Sequence, residues 1–161
     1  MNTSSINKEP QDLAAYAAAQ AHRVMSKLPL LGAISWLLMQ QNATRHTLLS
    51  ELEWRVMPAL VLDQAKLFMR QSAPLAYVSW ALLSEDVAKR YLNTPHHLST
   101  SDWNSGTQIW IVDLCAPFGG IQELMKDLRE SVFAGQEIHQ LTLGGDGQVQ
   151  AMTWPAIVKN K

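Results

Sequence analysis

Residues 108–120 read QIWIVDLCAPFGG, an apolar run with a single carboxylate that ends at a proline and two glycines. The β-branched and aromatic residues predict a buried strand, and regular alternation predicts that Asp113 shares one face with Ile109, Ile111 and Cys115. An ionised carboxylate on an apolar face is unfavourable unless a cation or hydrogen-bond donors contact it. Two interpretations stay open: a histidine binds Asp113 in an enzyme site, or Asp113 caps the next turn or pairs with a structural arginine.

The segments around this strand predict a single α/β or α+β domain with a mixed central sheet flanked by helices. Pro29 is expected to separate two helices, and Ser50 with Glu53 is expected to form a capping box. Ser84 predicts a further helix cap, and the glycine-rich residues 144–147 predict a hairpin. Predicted helices cover residues 12–27, 30–41, 50 to about 58, 84–92 and 120–133, and the other predicted strands cover 65–70, 75–82, 137–143 and 148–154.

Length, composition and charge fit one globular domain with a real core. The chain has 161 residues, 47% of them hydrophobic, and six tryptophans,. We expect a tail and peripheral helix at residues 1–28, disordered over residues 1–10, and one domain at residues 29–161. The net charge of −1 creates no overall positive field that would attract nucleic acid or an anionic membrane,. The single cysteine excludes an intrachain disulfide,. The apolar run 28–39 is too short to cross a bilayer, and no export signal is recognised, which predicts a cytoplasmic protein.

Motifs for common cofactors are missing from the sequence. It contains no phosphate-binding loop, no dinucleotide fingerprint and no G-x-S-x-G elbow,. The adjacent His96 and His97 lack a cysteine or carboxylate at ligand spacing, so we expect neither a metal nor another cofactor. His46, in the polar break 42–47, and Asp113 remain as candidates for chemistry. Spacing alone does not join them, and an exposed structural histidine is the alternative interpretation of His46.

Five blocks of sequence, in order over residues 31–133, resemble the RTX toxin-activating lysine acyltransferases. The blocks are LGAISWL (31–37), EW with MPAL (53–54 and 57–60), PLAYVSWA (74–81), DWNSG (102–106) and WIVDLCAPFG (110–119). The resemblance implies a cytoplasmic enzyme with a GNAT-like acyltransferase fold, often dimeric. It implies transfer of a fatty acyl group from acyl carrier protein to internal lysines of an RTX protoxin, with no cofactor besides this co-substrate.

The resemblance also implies a catalytic pair. One member is a histidine that follows the first tryptophan helix, and the other is the aspartate of the W-x-x-D-x-x-A-P-F-G block, which is Asp113 here. Counted without gaps, the family's histidine position holds Thr44, and Arg45 matches the basic residue after it. We assign the base to His46, two positions later, and a different base is the alternative.

Substrate contacts are predicted at Arg45, Ser79 and Gly119. Backbone N–H groups near Ser79 or Gly119 would stabilise the oxyanion that forms during acyl transfer. A relative that binds acyl carrier protein or a toxin segment without catalysis is the second hypothesis, and Thr44 is the feature that supports it.

Overall fold

A computed structural model describes residues 8–94 and 98–157 of the chain. The helices are α1 (Lys8–Gln40), α2 (Glu51–Arg55), α3 (Met57–Val61), α4 (Glu85–Asn93) and α5 (Ile121–Ser131). The strands are β1 (Ala65–Arg70), β2 (Ala73–Leu83), β3 (Gln108–Cys115), β4 (Ile138–Leu143) and β5 (Val149–Trp154). The strand predictions are therefore confirmed, with ends that shift by one or two residues.

The strands form one five-stranded sheet in the order β1-β2-β3-β4-β5. Neighbouring strands are antiparallel except β3 and β4, which run parallel. The connection between these two carries α5, because parallel strands need a crossover long enough to hold a helix. This arrangement confirms the predicted α/β architecture with a mixed sheet.

Helices cover both faces of the sheet. On one face, α5 buries Leu124, Met125 and Leu128 in a cluster with the strand residues Ile109 and Ile111. On the opposite face, α1, α2 and α3 contribute a second cluster, and α4 contributes a third around Trp103 and Trp110. The members of the second cluster are Ile34, Leu37, Leu38, Val56, Leu60, Tyr77 and Cys115. Full burial of one such large apolar side chain contributes about 1.5–3 kcal/mol, so these clusters hold the helices on the sheet.

The predicted helix break at Pro29 is wrong, because α1 continues through this proline. Pro29 lies on an exposed part of the helix, where water can bond to the carbonyl that loses its N–H partner,. Farther along, Ile34 and Leu37 are buried against the sheet and keep this part of the helix in place. Residues 8–10, expected to be disordered, form the start of α1, and residues 1–7 lie outside the described part.

The predicted capping box at Ser50 is also wrong. Ser50 precedes α2, but its side chain makes no capping hydrogen bond. Instead a carboxylate oxygen of Glu51 accepts a hydrogen bond from the backbone N–H of Leu48 at 2.9 Å. The helix then breaks at Val56, and Pro58 lies in the first turn of α3, where a proline is tolerated,. The break leaves α2 as a single short turn over the sheet.

Two backbones approach each other closely in the loop before β3. The Gly106 N–H donates to the Leu82 carbonyl at 2.9 Å. A Cβ at Gly106 would lie 2.5 Å from the Leu83 carbonyl oxygen and equally close to the backbone of Ser84. Ser84 itself caps α4 as predicted, since its hydroxyl accepts from the Val87 N–H at 3.3 Å. The loop is therefore held against the start of α4 at a point that only glycine fits.

The substitution Gly106→Ala is expected to lower the free energy of unfolding by about 1–3 kcal/mol, because the contacted atoms are backbone and cannot move aside. Urea denaturation measures this change. Gly145→Ala is the control, since nothing lies within 4 Å of its Cβ position, and its effect should stay below about 0.5 kcal/mol. Equal stability of the two variants would contradict the close approach.

Candidate active site

A β-bulge in β3 decides where the Asp113 side chain points. Asp113 pairs with Ser79 of β2, but the next β2 residue, Trp80, pairs with Ile111, so Val112 is an extra residue in β3. The predicted alternation therefore holds up to Val112, which packs on the side of Trp110, and is wrong from Asp113 onward. An inserted residue reverses the faces of the residues that follow it, which moves Asp113 away from the α5 face.

Beyond the bulge, Asp113 lies on the face that α1, α2 and α3 cover. Cys115 packs there with its cross-strand partner Tyr77, while Leu114 packs against the opposite cluster. The Asp113 side chain is only 6% exposed. Its backbone N–H donates to the Ser79 hydroxyl at 3.2 Å, so the bulge is tied to β2 at this point.

The carboxylate of Asp113 is bound by Arg55 at the end of α2. Arg55 Nε donates to Oδ1 at 3.0 Å and to Oδ2 at 2.8 Å, and Nη2 donates to Oδ1. Both carboxylate oxygens therefore accept from one guanidinium, a geometry that fixes the plane of both groups. This contact confirms the interpretation in which Asp113 pairs with an arginine.

The ion pair also sets the protonation of its neighbours. The hydrogen bond to Asp113 raises the pKa of Arg55 above its ordinary value, so the guanidinium stays charged. Burial raises the pKa of Cys115 to about 11, and the negative charge of Asp113 contributes to this shift. Burial raises the pKa of the Tyr77 phenol as well. Cys115 and Tyr77 are therefore neutral groups beside a charged pair near neutral pH.

The structure does not bring His46 and Asp113 into contact. His46 is exposed, in the turns that follow α1. None of the hydrogen bonds or ion pairs found between residues 8–94 and 98–157 joins it to Asp113. Thr44, at the family's histidine position, is buried, and its hydroxyl donates to the Leu38 carbonyl at 2.8 Å. The role of His46 as a base stays a prediction, without the carboxylate contact that was expected.

The three predicted substrate contacts have different surroundings. Arg45 is exposed beside His46. Ser79 is 0% exposed, between β1 and β3 in the sheet. Gly119 has a φ of +87°, which favours glycine, and its N–H donates to the Ala116 carbonyl at 3.1 Å,.

Gly119 also lines a cavity of about 540 Å³ at the outer edge of the sheet. Residues of β1, of β2, of the loop after β3 and of the first turns of α5 enclose it. Its apolar lining includes Phe68, Leu75, Phe118 and Leu124. Arg70, Glu123 and Asp127 add charge to the lining. The cavity can thus hold an apolar chain with a polar end.

The sheet opens next to Asp113. The parallel strands β3 and β4 pair over only three residues each, 109–111 and 138–140. Beyond these, β3 continues along β2 and β4 continues along β5. Asp113 is therefore just past the point where the two strands separate, at their carboxyl ends, where α/β proteins commonly bind ligands.

Arg55 is the site residue that the sequence did not reveal. Its partner lies 58 positions away, and no local spacing relates the two. One signal was present: Arg55 stands inside the otherwise apolar run from Trp54 to Leu62. A charge in such a run needs a partner, and Asp113 was a buried carboxylate that needed a cation.

The described residues give two further results. They contain no group of three or more His, Cys, Asp or Glu side chains arranged to hold a metal ion, and His96 and His97 lie outside them. No helix in residues 8–94 or 98–157 is both long and apolar enough to span a bilayer.

The fold and the site define an acyltransferase-like α/β protein, with a buried charged pair where two parallel strands separate. The chain belongs to the RTX toxin acyltransferase family, whose model matches residues 23–155. The family match begins inside α1 and ends just after β5, so it includes Asp113, Arg55 and the cavity.

Several curated proteins are similar to this chain. The RTX-II toxin-activating lysine-acyltransferase ApxIIC of Actinobacillus pleuropneumoniae is 39% identical over 101 residues, which is 63% of each chain. The protein-lysine myristoyltransferase RtxC of Kingella kingae is 36% identical over 66% of this chain and 64% of its own length. The protein-lysine myristoyltransferase HlyC of Escherichia coli is 38% identical over 64% of this chain and 61% of its own length. Each match spans less than two thirds of the relative.

Cys115 provides a test of the environment of the ion pair. Its side chain is 1% exposed, and with a pKa of about 11 roughly one thiol in a thousand is ionised at pH 8. We expect the native protein to react with an aromatic disulfide reagent only as fast as it unfolds. Rapid reaction before unfolding would contradict the buried position, and protein in denaturant gives the reference rate.

The same thiol makes the stability depend on alkaline pH. Its pKa in the folded protein lies above the ordinary value of 9.0. Its contribution is therefore fully present below about pH 9 and is lost as the pH rises towards 11. The free energy of unfolding of the wild type should fall over this range, and that of Cys115→Ala should fall less steeply. An equal fall in the two proteins would count against the shifted pKa.

Proposed function

We propose that this protein is a protein-lysine acyltransferase that moves a fatty acyl group from acyl carrier protein to internal lysines of an RTX protoxin and so activates it. The observation that carries the proposal is the family match over residues 23–155. It includes Asp113, which lies buried beside the opening between β3 and β4. The names of the relatives specify toxin activation, lysine acylation and, in two cases, myristoyl transfer.

The chemistry of the reaction fits a site without a cofactor. A lysine ammonium has a pKa near 10.4, so forming the free amine at pH 7 costs about 4–5 kcal/mol. A base that accepts this proton lowers the barrier, and we propose His46 for this role because the exposed turn leaves its ring open to an incoming lysine. The acyl thioester is already activated, and neither a metal nor a nucleotide is needed to form the amide.

The opening in the sheet suits the donor. Its thioester is carried on an extended arm that contains amide groups, and the facing edges of β3 and β4 beyond residues 111 and 140 lack strand partners. Backbone groups on such edges can bond to an extended chain as another strand would. The cavity of about 540 Å³ beside Gly119 lies on the α5 face and is within the usual range of roughly 300–1,000 Å³ for ligand pockets, so it is a second place where an apolar chain could bind.

An acylation assay tests this function. Myristoyl-loaded acyl carrier protein is incubated with the protein and the RTX-II protoxin of Actinobacillus pleuropneumoniae, and lysine masses are read by mass spectrometry. The wild-type protein should add a myristoyl group to specific lysines. Asp113→Asn and His46→Ala should fold but lose at least about 100-fold in rate. Full activity of His46→Ala would show that His46 is not the base, and it would not contradict acyl transfer by this protein.

A second function is supported by two observations. Arg55 occupies both oxygens of Asp113, and the family's histidine position holds the buried Thr44. A protein without a working base would bind acyl carrier protein or a toxin segment and not turn over. Stable binding of either protein by the wild type, with no mass added to any lysine, would favour this alternative over the acyltransferase.

The family likeness further suggests a homodimer in the cytoplasm, where acyl carrier protein acts. Exposed apolar side chains on one side of α1 support a second copy as the partner of this helix, because Leu13, Tyr16 and Val24 share that side and are all exposed,. Sedimentation equilibrium should show a dimer that Tyr16→Glu dissociates. Leu143→Glu, at an apolar residue exposed elsewhere, should leave the dimer intact, and a monomeric wild type would reject the proposal.

A further inference from the structure

Arg55 binds Asp113 with only part of its donor set. A guanidinium carries five N–H groups, and the contacts with Asp113 use Nε and Nη2. Nη1 donates no hydrogen bond to any residue in the described ranges, and it is not among their buried atoms that lack a partner. Nη1 therefore has N–H groups that no described residue uses and is not fully closed off from solvent. The exposed fractions agree, because the side chain of Arg55 is 19% exposed and that of Asp113 only 6%.

A molecule that approaches the ion pair from solvent contacts Arg55 before Asp113. The carboxylate is nearly closed off, and the accessible group is a charged donor that cannot lose its proton near neutral pH,. Such a group attracts a carbonyl oxygen or a developing negative charge and disfavours a lysine ammonium. The bidentate contact also fixes the orientation of the guanidinium, so little reorganisation is needed when a charge develops beside it.

The groups predicted as oxyanion donors are unavailable. Ser79 is 0% exposed and paired on both sides within the sheet, so its backbone N–H does not face a substrate. The Gly119 N–H is used in a turn with the Ala116 carbonyl. Acyl transfer needs a donor for the oxyanion, and Arg55 has one that is open and fixed in place.

We propose that Arg55 binds the carbonyl oxygen of the acyl thioester through its open N–H groups, and that Asp113 is a positioning residue that holds Arg55. The inference rests on the proposed acyltransferase function and deepens it. Asp113 then affects the substrate through the guanidinium of Arg55. A group other than Asp113 accepts the proton of the lysine amine.

The neutral lysine amine attacks the thioester carbon, a C–N bond forms, and the carbonyl electron pair moves to oxygen, where Arg55 donates to it. The oxyanion then collapses, the C–S bond breaks, and the thiolate of the carrier arm leaves. The nitrogen loses a proton to His46 or to water, and the thiolate takes up a proton, which gives an amide and a free thiol.

The test compares Arg55→Gln, which keeps a donor but removes the charge, with Arg55→Lys, which keeps the charge. Rates are measured with myristoyl-loaded acyl carrier protein and the RTX-II protoxin of Actinobacillus pleuropneumoniae, per mole of folded protein. Arg55→Gln should lower kcat roughly 100-fold or more with little change in KM, and Arg55→Lys should retain a larger share of the rate. The shape of the pH profile should stay as in the wild type, because arginine does not titrate in this range.

Arg90→Gln is the matched control. Arg90 pairs with Asp102, whose side chain is 11% exposed, and not with Asp113. This variant breaks a second guanidinium–carboxylate pair and should have the same kcat as the wild type. If the wild type transfers acyl groups and Arg55→Gln keeps its kcat per folded molecule, the inference fails while the proposed function stands. If the wild type transfers none, the proposed function fails, and the role of Arg55 fails with it.

Discussion

The ion pair between Arg55 and Asp113 is the interaction on which the site depends. A carboxylate that is 6% exposed needs a cation or hydrogen-bond donors as partners, and Arg55 provides both by donating to its two oxygens,. Burying two charges gains little net stability over apolar packing, but removing one partner leaves the other charge uncompensated. The pair therefore links α2 to β3 in one arrangement, and neither residue can change alone without cost to the fold.

The bulge at Val112 makes this pair geometrically possible. Without the extra residue, Asp113 would follow Ile109 and Ile111 onto the α5 face, into the apolar cluster of Leu124, Met125 and Leu128. The inserted residue turns the carboxylate toward α2. The same stretch of β3 is where pairing with β4 ends. One local irregularity thus orients the charge and places it beside the opening in the sheet.

Sequence reasoning succeeded where local chemistry determines structure and failed where tertiary contacts do. The hairpin at 144–147 and the cap at Ser84 follow from turn glycines and a hydroxyl, and both are confirmed. The break at Pro29 was wrong because buried residues farther along α1 outweigh one missing hydrogen bond. The β-bulge in β3 gives no signal in the sequence, because the residues around it are apolar. No spacing rule predicts that Asp113 pairs with Arg55, which lies 58 positions away. His46 is the histidine of the segment 42–47, and its role as the base stays a prediction.

A guanidinium in place of the imidazole that the family resemblance implies changes what the aspartate can do. Both groups donate hydrogen bonds to a carboxylate, but a neutral imidazole can also accept a proton, whereas a guanidinium cannot. Arg55 binds both oxygens of Asp113, the hydroxyl of Thr44 is bonded to Leu38, and no histidine in the described residues bonds to the carboxylate. In the proposal above, the carboxylate holds a fixed positive charge in place. Acyl transfer at such a site divides between two elements: α2 stabilises the negative charge on oxygen, and the exposed turn after α1 or the solvent takes the proton from nitrogen.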